Sequence, residues 1–267
     1  DLLAVARIIP LLKPNGKIRP IAIGDTLRRW VTRAIMQAMH TEFRNYLSPS
    51  QFAVGLKGGS EQLVAQLRAH PDHSILQLDS TNAFNTLDRQ AMLDEVAARF
   101  PSLLEFIWQW YGTPAELWYD TSEHTRTLHS AEGTQQGDPA GPLLFALGLH
   151  PALERIRSDP QTAFAAGYLD DVFVGAPSSL TRAVLDNAAG QLAGVNLRLN
   201  LRKVHVYTQH PDRVAPLPPE VQVSSDGFTA LGVPLGTDAY VANALDERCR
   251  KFESCMAKLA RFPHTQV

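Results

Sequence analysis

Cysteine is scarce in this chain of 267 residues, which contains only Cys249 and Cys255. Two thiols at a spacing that matches no metal-binding motif provide no disulfide framework and suit a reducing compartment. Long apolar runs are also missing, since the longest one, GPLLFALGLHPAL, is too short and too interrupted to cross a bilayer. The sequence shows no signal-peptide pattern, no internal repeat and no low-complexity tract. These absences argue against a membrane span, a disulfide scaffold and a repeat array.

Neither sign of charge predominates, because 25 Lys and Arg residues stand against 27 Asp and Glu residues. This balance argues against a protein that binds nucleic acid over its whole surface. The charges are unevenly distributed: residues 1–70 hold ten Lys/Arg and four Asp/Glu, whereas residues 71–180 hold five and fifteen. A basic segment beside an acidic one indicates an anion site next to a cation site, and a chance surface asymmetry is the alternative.

The composition, 45% hydrophobic, is that of an ordinary globular protein. The length fits one large domain or two to three subdomains. Because the first residue is Asp1 rather than Met and the last stretch is helix-like, we expect the chain to be a piece of a longer protein.

Strand and helix patterns are mixed without strict alternation, which predicts an α+β fold rather than a doubly wound sheet. Two apolar runs around Asn15-Gly16 predict a β-hairpin, and residues 24–47 predict one helix with Asp25 as its N-cap. Further strands are predicted in HSILQLDSTNAF, LRKVHVYT and GFTALGVPL, and a hairpin in AFAAGYLDDVFVG. Helices are predicted in DRQAMLDEVAARF, in SSLTRAVLDNAAGQLAGVNL and from about Tyr240 onward.

Two short segments place carboxylates at the ends of apolar strands. Asp170 and Asp171 lie between apolar residues in GYLDDVFVG, and Asp79 ends the apolar strand of LQLDSTNAFN. Adjacent buried carboxylates repel each other, so we expect a cation to neutralise them. Neighbouring strands that each deliver a carboxylate form a site suited to Mg²⁺, and two such ions about 4 Å apart stabilise the attacking and leaving oxygens of an in-line displacement. A solvated hairpin turn is the alternative.

A third segment, EGTQQGDPAGPLLFAL, lies between these two carboxylate segments. Asp138 is predicted to cap a buried helix whose first residue is Pro139, a position that needs no N–H. Pro142 also falls in the first turn, and Pro151 is predicted to kink or end the helix.

The order of these blocks resembles that of reverse transcriptases, above all those of non-LTR (LINE-type) retrotransposons. IPLLKPNGKIRPIAI resembles the fingers hairpin that ends in Arg-Pro-Ile, QFAVGLKGGSEQLV the next fingers block, and LDSTNAFN the first palm motif. The segment QQGDPAGPLLFAL is similar to the Gln-Gly-Asp-Pro motif, and YLDD is similar to the Tyr-x-Asp-Asp motif. The segment LNLRKVHVY is similar to the lysine-bearing motif that follows, and TALGVPLG is similar to the primer-grip motif. The resemblance covers about residues 7–236, and it departs from the usual pattern at Asn85 and at Gly141-Pro142, neither of which removes a metal ligand.

The resemblance implies a right-hand polymerase fold with fingers and palm, in which an RRM-like antiparallel palm sheet is backed by helices and the thumb is only begun. The implied divisions are fingers at 1–73, the first palm strand and helix at 74–100, a palm/fingers connection at 101–135, the remaining palm motifs at 136–236, and the start of the thumb or a connection at 237–267. The implied palm thus comes from two separate stretches of chain.

The resemblance also implies the catalytic residues. Asp79, Asp170 and Asp171 would hold two Mg²⁺ ions, with Mn²⁺ as a substitute, and the backbone carbonyl of Ser80 would be a further ligand. Lys203 would protonate the leaving pyrophosphate, and a solvated lysine is the alternative.

Other residues would bind the substrates. Lys13 and Arg19 would hold the triphosphate of a dNTP, and Phe84 would be the steric gate against a ribose 2′-hydroxyl, or a plain core aromatic. Gln136 and Gly137 would lie beside the templating base pair, or form a simple tight turn. The primer end would be contacted by residues of two hairpins, namely Tyr168, Leu231 and Gly232.

The implied activity is RNA-directed DNA polymerisation with an RNA template, a DNA or RNA primer, dNTPs and a divalent metal. The family also implies flanking domains of a longer polyprotein, no membrane association and an intracellular location, nuclear or cytoplasmic. An RNA-dependent RNA polymerase is a rival, but such enzymes usually carry Gly-Asp-Asp and a polar residue in place of Phe84. A group II intron or retron-type reverse transcriptase stays open, as does a decayed or co-opted copy that binds nucleic acid without polymerising.

Overall fold

The structure, a computed structural model, describes residues 4–13, 16–121 and 123–261. Its strands form a four-stranded sheet, a five-stranded sheet and a separate two-stranded hairpin. The strands are β1 (Ala6–Leu12), β2 (Ile18–Gly24), β3 (Ser74–Leu78), β4 (Ala115–Asp120), β5 (Thr125–Ser130), β6 (Phe164–Tyr168), β7 (Asp171–Ala176), β8 (His205–Tyr207), β9 (Gln222–Ser224), β10 (Gly227–Ala230) and β11 (Val233–Gly236). The helices are α1 (Thr26–Ala38), α2 (His40–Leu47), α3 (Gly59–Arg68), α4 (Ala83–Thr86), α5 (Arg89–Arg99), α6 (Pro101–Tyr111), α7 (Gly141–Arg157), α8 (Thr181–Ala193) and α9 (Asp238–Leu259).

The four-stranded sheet has the order β2-β1-β4-β5. β1 and β2 form the predicted antiparallel hairpin, which pairs as far as Leu12 and Ile18. Of the predicted turn, Asn15 lies outside the described residues, and Gly16 has φ +76°, a left-handed conformation that suits glycine. The sequence patterns predict neither β4 nor β5. In β4 three apolar residues, Leu117, Trp118 and Tyr119, follow one another and hide the alternation of its burial, and in β5 five of the six residues are exposed.

The five-stranded sheet has the order β6-β7-β3-β8-β9. Pairing is antiparallel from β6 to β8, and β9 runs parallel to β8. One face, with Leu76 and Val174, packs in a core shared with α5, α6, α7 and α8. The other face, with Ile75 and Phe173, packs with α3 and the β10–β11 hairpin. Burial on both faces explains why β3, β6 and β7 have nearly continuous apolar sequences.

The single helix predicted for residues 24–47 is wrong, because two helices occupy this stretch. The chain breaks at Met39, whose φ of −102° and ψ of 13° are not helical, and α2 then turns Phe43 and Leu47 into the core. The predicted N-cap is confirmed, since the Asp25 carboxylate accepts a hydrogen bond from the N–H of Leu27 at 2.8 Å.

The predicted start of α7 is also wrong. The helix begins at Gly141 rather than Pro139, and its N-cap residue is Ala140 rather than Asp138. It continues through Pro151, where the sequence predicts a kink or an end, and finishes at Arg157. Twelve of its 17 residues are buried, so tertiary packing outweighs the hydrogen bond that the internal proline removes.

The predicted C-terminal helix is confirmed as α9, which is capped by the Thr237 hydroxyl and contains no buried residue. Within the part of the chain that the structure describes, no helix combines the length and the apolar character needed to cross a membrane.

Candidate active site

The two predicted carboxylate segments lie on neighbouring strands. β3 and β7 are antiparallel, and the pair nearest the site is Leu78 with Val172. Asp79 follows Leu78 and Asp171 precedes Val172, so both carboxylates leave the same end of adjacent strands. Asp170 belongs to the turn between β6 and β7. The structure therefore brings together the three acidic residues that the sequence predicts to share a site.

The surroundings of Asp170 raise the pKa of its carboxyl group. Burial is the main reason why its pKa is raised, and the charge of Asp79 raises it further, whereas Arg19 and Lys13 lower it. These two cations come from the β1–β2 hairpin, so the four-stranded sheet that contains this hairpin acts electrostatically on the turn of the five-stranded sheet. The predicted basic and acidic segments thus meet at one site.

The pKa of Asp171 is raised more strongly than that of Asp170. Burial raises its pKa to about 6, the charges of Asp170 and Asp79 add to the effect, and Lys203 opposes it. Asp170 and Asp171 are nevertheless both exposed residues, so the surrounding protein crowds their carboxylates without enclosing them. The negative charges of the three carboxylates are therefore only partly compensated by the protein.

Lys203 contacts the first of these carboxylates. Its Nζ lies 3.0 and 3.1 Å from the two oxygens of Asp79, in an ion pair that is open to solvent. Its predicted role as a proton donor to pyrophosphate stays a prediction. Ser80 follows Asp79 and forms an isolated antiparallel β-bridge with Leu199. Metal ligation by the carbonyl of Ser80 likewise stays a prediction.

Among the residues that the structure describes, no three His, Cys, Asp or Glu side chains are arranged to hold a metal ion. The donor set nevertheless fits a hard divalent cation, because Asp79, Asp170 and Asp171 offer only carboxylate oxygens. Their mutual repulsion, which adds to the effect of burial in raising the pKa values of Asp170 and Asp171, is what such a cation would relieve. Binding at Asp79 would require the carboxylate to exchange its contact with Lys203.

A cavity of about 440 Å³ adjoins Asp170. Asp170, Arg19, Phe84, Gln136 and Gly137 are among its lining residues, so four of the residues predicted to bind a dNTP surround one space. Its volume is in the range of small-molecule sites, and its walls carry both charged and apolar groups.

Phe84 both packs in the core and faces the cavity, and its role as a steric gate stays a prediction. It lies on α4, half-buried, and stacks on the buried Phe145 with ring centroids 4.4 Å apart. It also lines the cavity beside Asp170. Arg33 of α1 lines the same cavity, and the sequence analysis missed it because nothing distinguishes it from the other arginines of that helix before the chain is folded.

The Gln136-Gly137 loop is joined to β2. The N–H of Ala22 donates to the carbonyl of Gln136 at 2.7 Å. Gly137 has φ +118°, and a Cβ there would lie 2.5 Å from the carbonyl oxygen of Ala22. Glycine is therefore required by its conformation and by the close approach of the two segments, whether or not it also contacts a base pair.

Asp138 does not cap α7 but forms a buried cluster with residues of two other helices. Its Oδ2 lies 2.6 Å from Nη2 of Arg28 and accepts a hydrogen bond from the Tyr111 hydroxyl at 2.8 Å. The Arg28 guanidinium also lies 4.6 Å from the ring centroid of Trp110. The carboxylate is thus used to connect the loop with α1 and α6, while its Oδ1 accepts the N–H of Ala140.

The predicted primer contacts lie on two hairpins that pack on one apolar cluster. Tyr168 ends β6, and Leu231 and Gly232 form the turn between β10 and β11, with φ of +48° and +81°. Tyr168 and Leu231 both pack against the cluster that contains Phe228. Their contact with a primer stays a prediction.

Comparison with known proteins identifies the family. The sequence model of the family described as "Reverse transcriptase (RNA-dependent DNA polymerase)" matches residues 11–235. This chain therefore belongs to the reverse transcriptase family, whose members generally use divalent metal ions.

A curated relative comes from a mobile element. The chain is 32% identical over 203 residues to the retrotransposable element SLACS 132 kDa protein of Trypanosoma brucei gambiense. The match covers 73% of this chain and 17% of that protein, so the chain spans a small part of the relative's length.

Solved structures share the fold. Apo telomerase from Candida tropicalis matches with a TM-score of 0.65 and 9% identity over 90% of this chain and 48% of that chain. An insertion-loop deletion mutant of an RNA-dependent RNA polymerase from a human picobirnavirus matches with a TM-score of 0.57 and 12% identity over 88% and 45%. These likenesses confirm the predicted α+β polymerase fold, with a palm-like sheet backed by helices.

Proposed function

We propose that this chain is the RNA-directed DNA polymerase domain of a retrotransposon-type polyprotein. It would extend a DNA or RNA primer along an RNA template with dNTPs, inside the cell, in the nucleus or the cytoplasm where these substrates occur. The proposal is carried by three carboxylates at one end of the adjacent strands β3 and β7, of which Asp170 lines a cavity together with a guanidinium and an aromatic ring. The retrotransposable element relative supports the wider polyprotein, with flanking domains beyond this chain.

Two Mg²⁺ ions, replaceable by Mn²⁺, are the metals that we propose, held by Asp79, Asp170, Asp171 and the carbonyl of Ser80. When bound, they would activate the primer hydroxyl and neutralise charge on the leaving pyrophosphate. Support comes from the all-oxygen donor set and from the raised pKa values of the two adjacent aspartates.

The nucleotide would be bound from the fingers side. Arg19 and Lys13, whose charges reach Asp170, would hold the triphosphate, and the fork of the guanidinium suits two phosphate oxygens. Phe84 would exclude a ribose 2′-hydroxyl because its ring forms part of the cavity wall. Gln136 and Gly137 would lie beside the templating base pair.

The leaving group and the primer would be served by the palm. Lys203 would donate a proton from Nζ to the departing pyrophosphate, after it gives up its contact with Asp79. Residues of the two hairpins that pack on the Phe228 cluster would support the primer end, namely Tyr168, Leu231 and Gly232.

The divisions of the fold are part of the same proposal. We assign residues 1–73 to the fingers, 74–100 and 136–236 to the palm, 101–135 to a connection between them, and 237–267 to the start of the thumb or a connection. Two observations support this: the four-stranded sheet combines strands of the first and connecting segments, and the palm-like sheet combines strands of the two palm segments.

The test is primer extension by the full-length protein on an RNA template with Mg²⁺. Asp170→Asn should abolish nucleotide incorporation while far-UV circular dichroism stays unchanged. Asp186→Asn, which removes an exposed aspartate of α8, is the matched control and should retain activity. Template binding without extension by the unaltered protein would instead support a non-catalytic nucleic-acid-binding copy, and retained extension by Asp170→Asn would refute the assigned site.

A further inference from the structure

Gln51 takes no part in the site described above, yet its side chain contacts the turn that carries Asp170. The residue is 1% exposed, and its Oε1 accepts a hydrogen bond from the N–H of Leu169 at 2.8 Å. The same oxygen accepts a longer bond, at 3.4 Å, from the N–H of Ala53. These two donors fix Oε1, rather than Nε2, as the atom that faces the turn.

The backbone around Gln51 is joined to the outer edge of the five-stranded sheet. The N–H of Gly167 donates to the carbonyl of Ser50 at 2.7 Å, and the N–H of Phe52 donates to the carbonyl of Gly167 at 2.8 Å. Since β6 is an edge strand, this short segment satisfies polar groups that would otherwise stay unpaired. Gln51 is therefore held in a fixed position relative to the turn.

The turn needs such support. Leu169 has φ +56°, a left-handed conformation that costs a residue with a Cβ atom roughly 1–2 kcal/mol. Asp170 is the next residue, so the orientation of its carboxylate depends on the conformation of Leu169. The supporting oxygen belongs to a residue 118 positions away in the sequence.

Gly167 permits this approach. A Cβ on Gly167 would lie 3.0 Å from Nε2 of Gln51 and 3.2 Å from Cδ2 of Leu153, which is closer than most side-chain contacts. The absence of a side chain at this point of β6 thus leaves room for the glutamine to reach the turn.

We propose that Gln51 is a positioning residue for polymerisation, which holds Leu169 in its left-handed conformation and thereby orients the carboxylate of Asp170. It acts through the turn and touches neither primer nor nucleotide. The inference rests on the proposed polymerase function, and it adds to that function a contact between the segment before α3 and the catalytic turn.

The test compares Gln51→Met, which keeps the side-chain length but removes the acceptor, with Gln51→Glu, which retains an oxygen. Single-nucleotide incorporation by the full-length protein should show kcat reduced about tenfold to hundredfold in Gln51→Met, because small displacements of a catalytic group are costly. KM for the dNTP should change little, since Arg19 and Lys13 lie in the β1–β2 hairpin, which belongs to the other sheet. Gln51→Glu should recover part of the loss. Gln191→Met is the matched control, which removes side-chain hydrogen bonds remote from the turn and should retain kcat.

A second measurement needs no activity. The amide of Leu169 should exchange with solvent at least about tenfold faster in Gln51→Met than in the unaltered protein, while the amides of β7 keep their protection. A double-mutant cycle combines Gln51→Met with Leu169→Gly, because glycine adopts positive φ without penalty. The loss of kcat in the double variant should differ from the product of the two single losses.

Any one of three results would overturn the positioning role. These are unchanged amide exchange at Leu169 in Gln51→Met, unchanged kcat in Gln51→Met, and an equal loss of kcat in the Gln191→Met control. These outcomes are distinguishable from a failure of the proposed function. If the unaltered protein extends no primer, the polymerase assignment and the catalytic part of this inference both fall, whereas the exchange experiment still decides whether Gln51 holds the turn.

Discussion

Nη2 of Arg28 lies 2.6 Å from Oδ2 of Asp138, although 110 residues separate the two in the sequence. Their side chains are 2% and 4% exposed, so the ion pair is almost completely removed from water. It connects α1, which follows the β1–β2 hairpin, with the loop that carries Gln136 and Gly137. Together with the hydrogen bond from the N–H of Ala22 to the carbonyl of Gln136, this buried pair holds the N-terminal segment against that loop.

Breaking this pair should destabilise the protein strongly. Arg28→Ala leaves the Asp138 carboxylate buried without its cation, so we expect the free energy of unfolding to fall by about 3–5 kcal/mol in urea titrations. Arg182→Ala, which breaks the exposed pair with Asp186, is the matched control and should cost no more than about 0.5 kcal/mol. Equal losses in the two variants would show that the buried pair has no special weight.

Gly137 should tolerate no side chain. In Gly137→Ala the new Cβ would meet the carbonyl oxygen of Ala22 at 2.5 Å, at a φ of +118°. We expect thermal unfolding to show that the free energy of unfolding falls by about 1–3 kcal/mol, and we expect primer extension to be reduced as well. Gly190→Ala is the control, because nothing lies within 4 Å of its Cβ in the middle of α8, and helix propensity predicts a gain of about 0.5–1 kcal/mol. A neutral effect at Gly137 would contradict the close approach of the loop to β2.

Phe84 should control the choice of sugar. Phe84→Ala opens the wall of the cavity beside Asp170, so the ratio of kcat/KM for rNTP to that for dNTP should rise about tenfold or more. Phe106→Ala removes another half-buried aromatic ring, which packs on Trp110 away from the cavity, and should leave this ratio unchanged. An unchanged ratio in Phe84→Ala would leave the residue as a core aromatic only.

Asp171 should make the metal-free protein less stable as the pH rises. Its pKa is raised from 3.8 to about 6 in the folded state, so the folded protein holds this proton more tightly than the unfolded chain does. The stability gained from that proton is present at low pH and is lost between about pH 4 and pH 6. Urea unfolding in EDTA should therefore show that Asp171→Asn is more stable than the unaltered protein at pH 7, with a smaller difference near pH 4. The opposite order at pH 7 would contradict the partly compensated charge at the site.

Much of this site could be predicted because its motifs are local. Asp79 and Asp170 each terminate an apolar strand, and adjacent pairing of those strands suffices to bring the carboxylates together. The β1–β2 hairpin, likewise, is encoded by apolar runs around a short turn. The corresponding strand and hairpin predictions are confirmed for these reasons.

Other features depend on contacts between distant parts of the chain. A helix cap and a buried ion-pair partner have the same local signature, so the sequence could not show that Asp138 binds Arg28 rather than caps α7. The break at Met39 follows from the packing of Phe43 in the core, which no local pattern reveals. The contact of Gln51 with Leu169 spans 118 residues and leaves no periodic signal.

The most direct test of the account is anomalous diffraction from crystals of the full-length protein with primer, template, an unreactive dNTP analogue and Mn²⁺. We expect anomalous peaks bounded by the carboxylates of Asp79 and Asp170, with Nζ of Lys203 displaced from Asp79. A shared metal site would be contradicted by peaks that lie elsewhere. It would also be contradicted if, in a complex that holds the nucleotide, the carboxylates stay apart and Lys203 is still bound to Asp79.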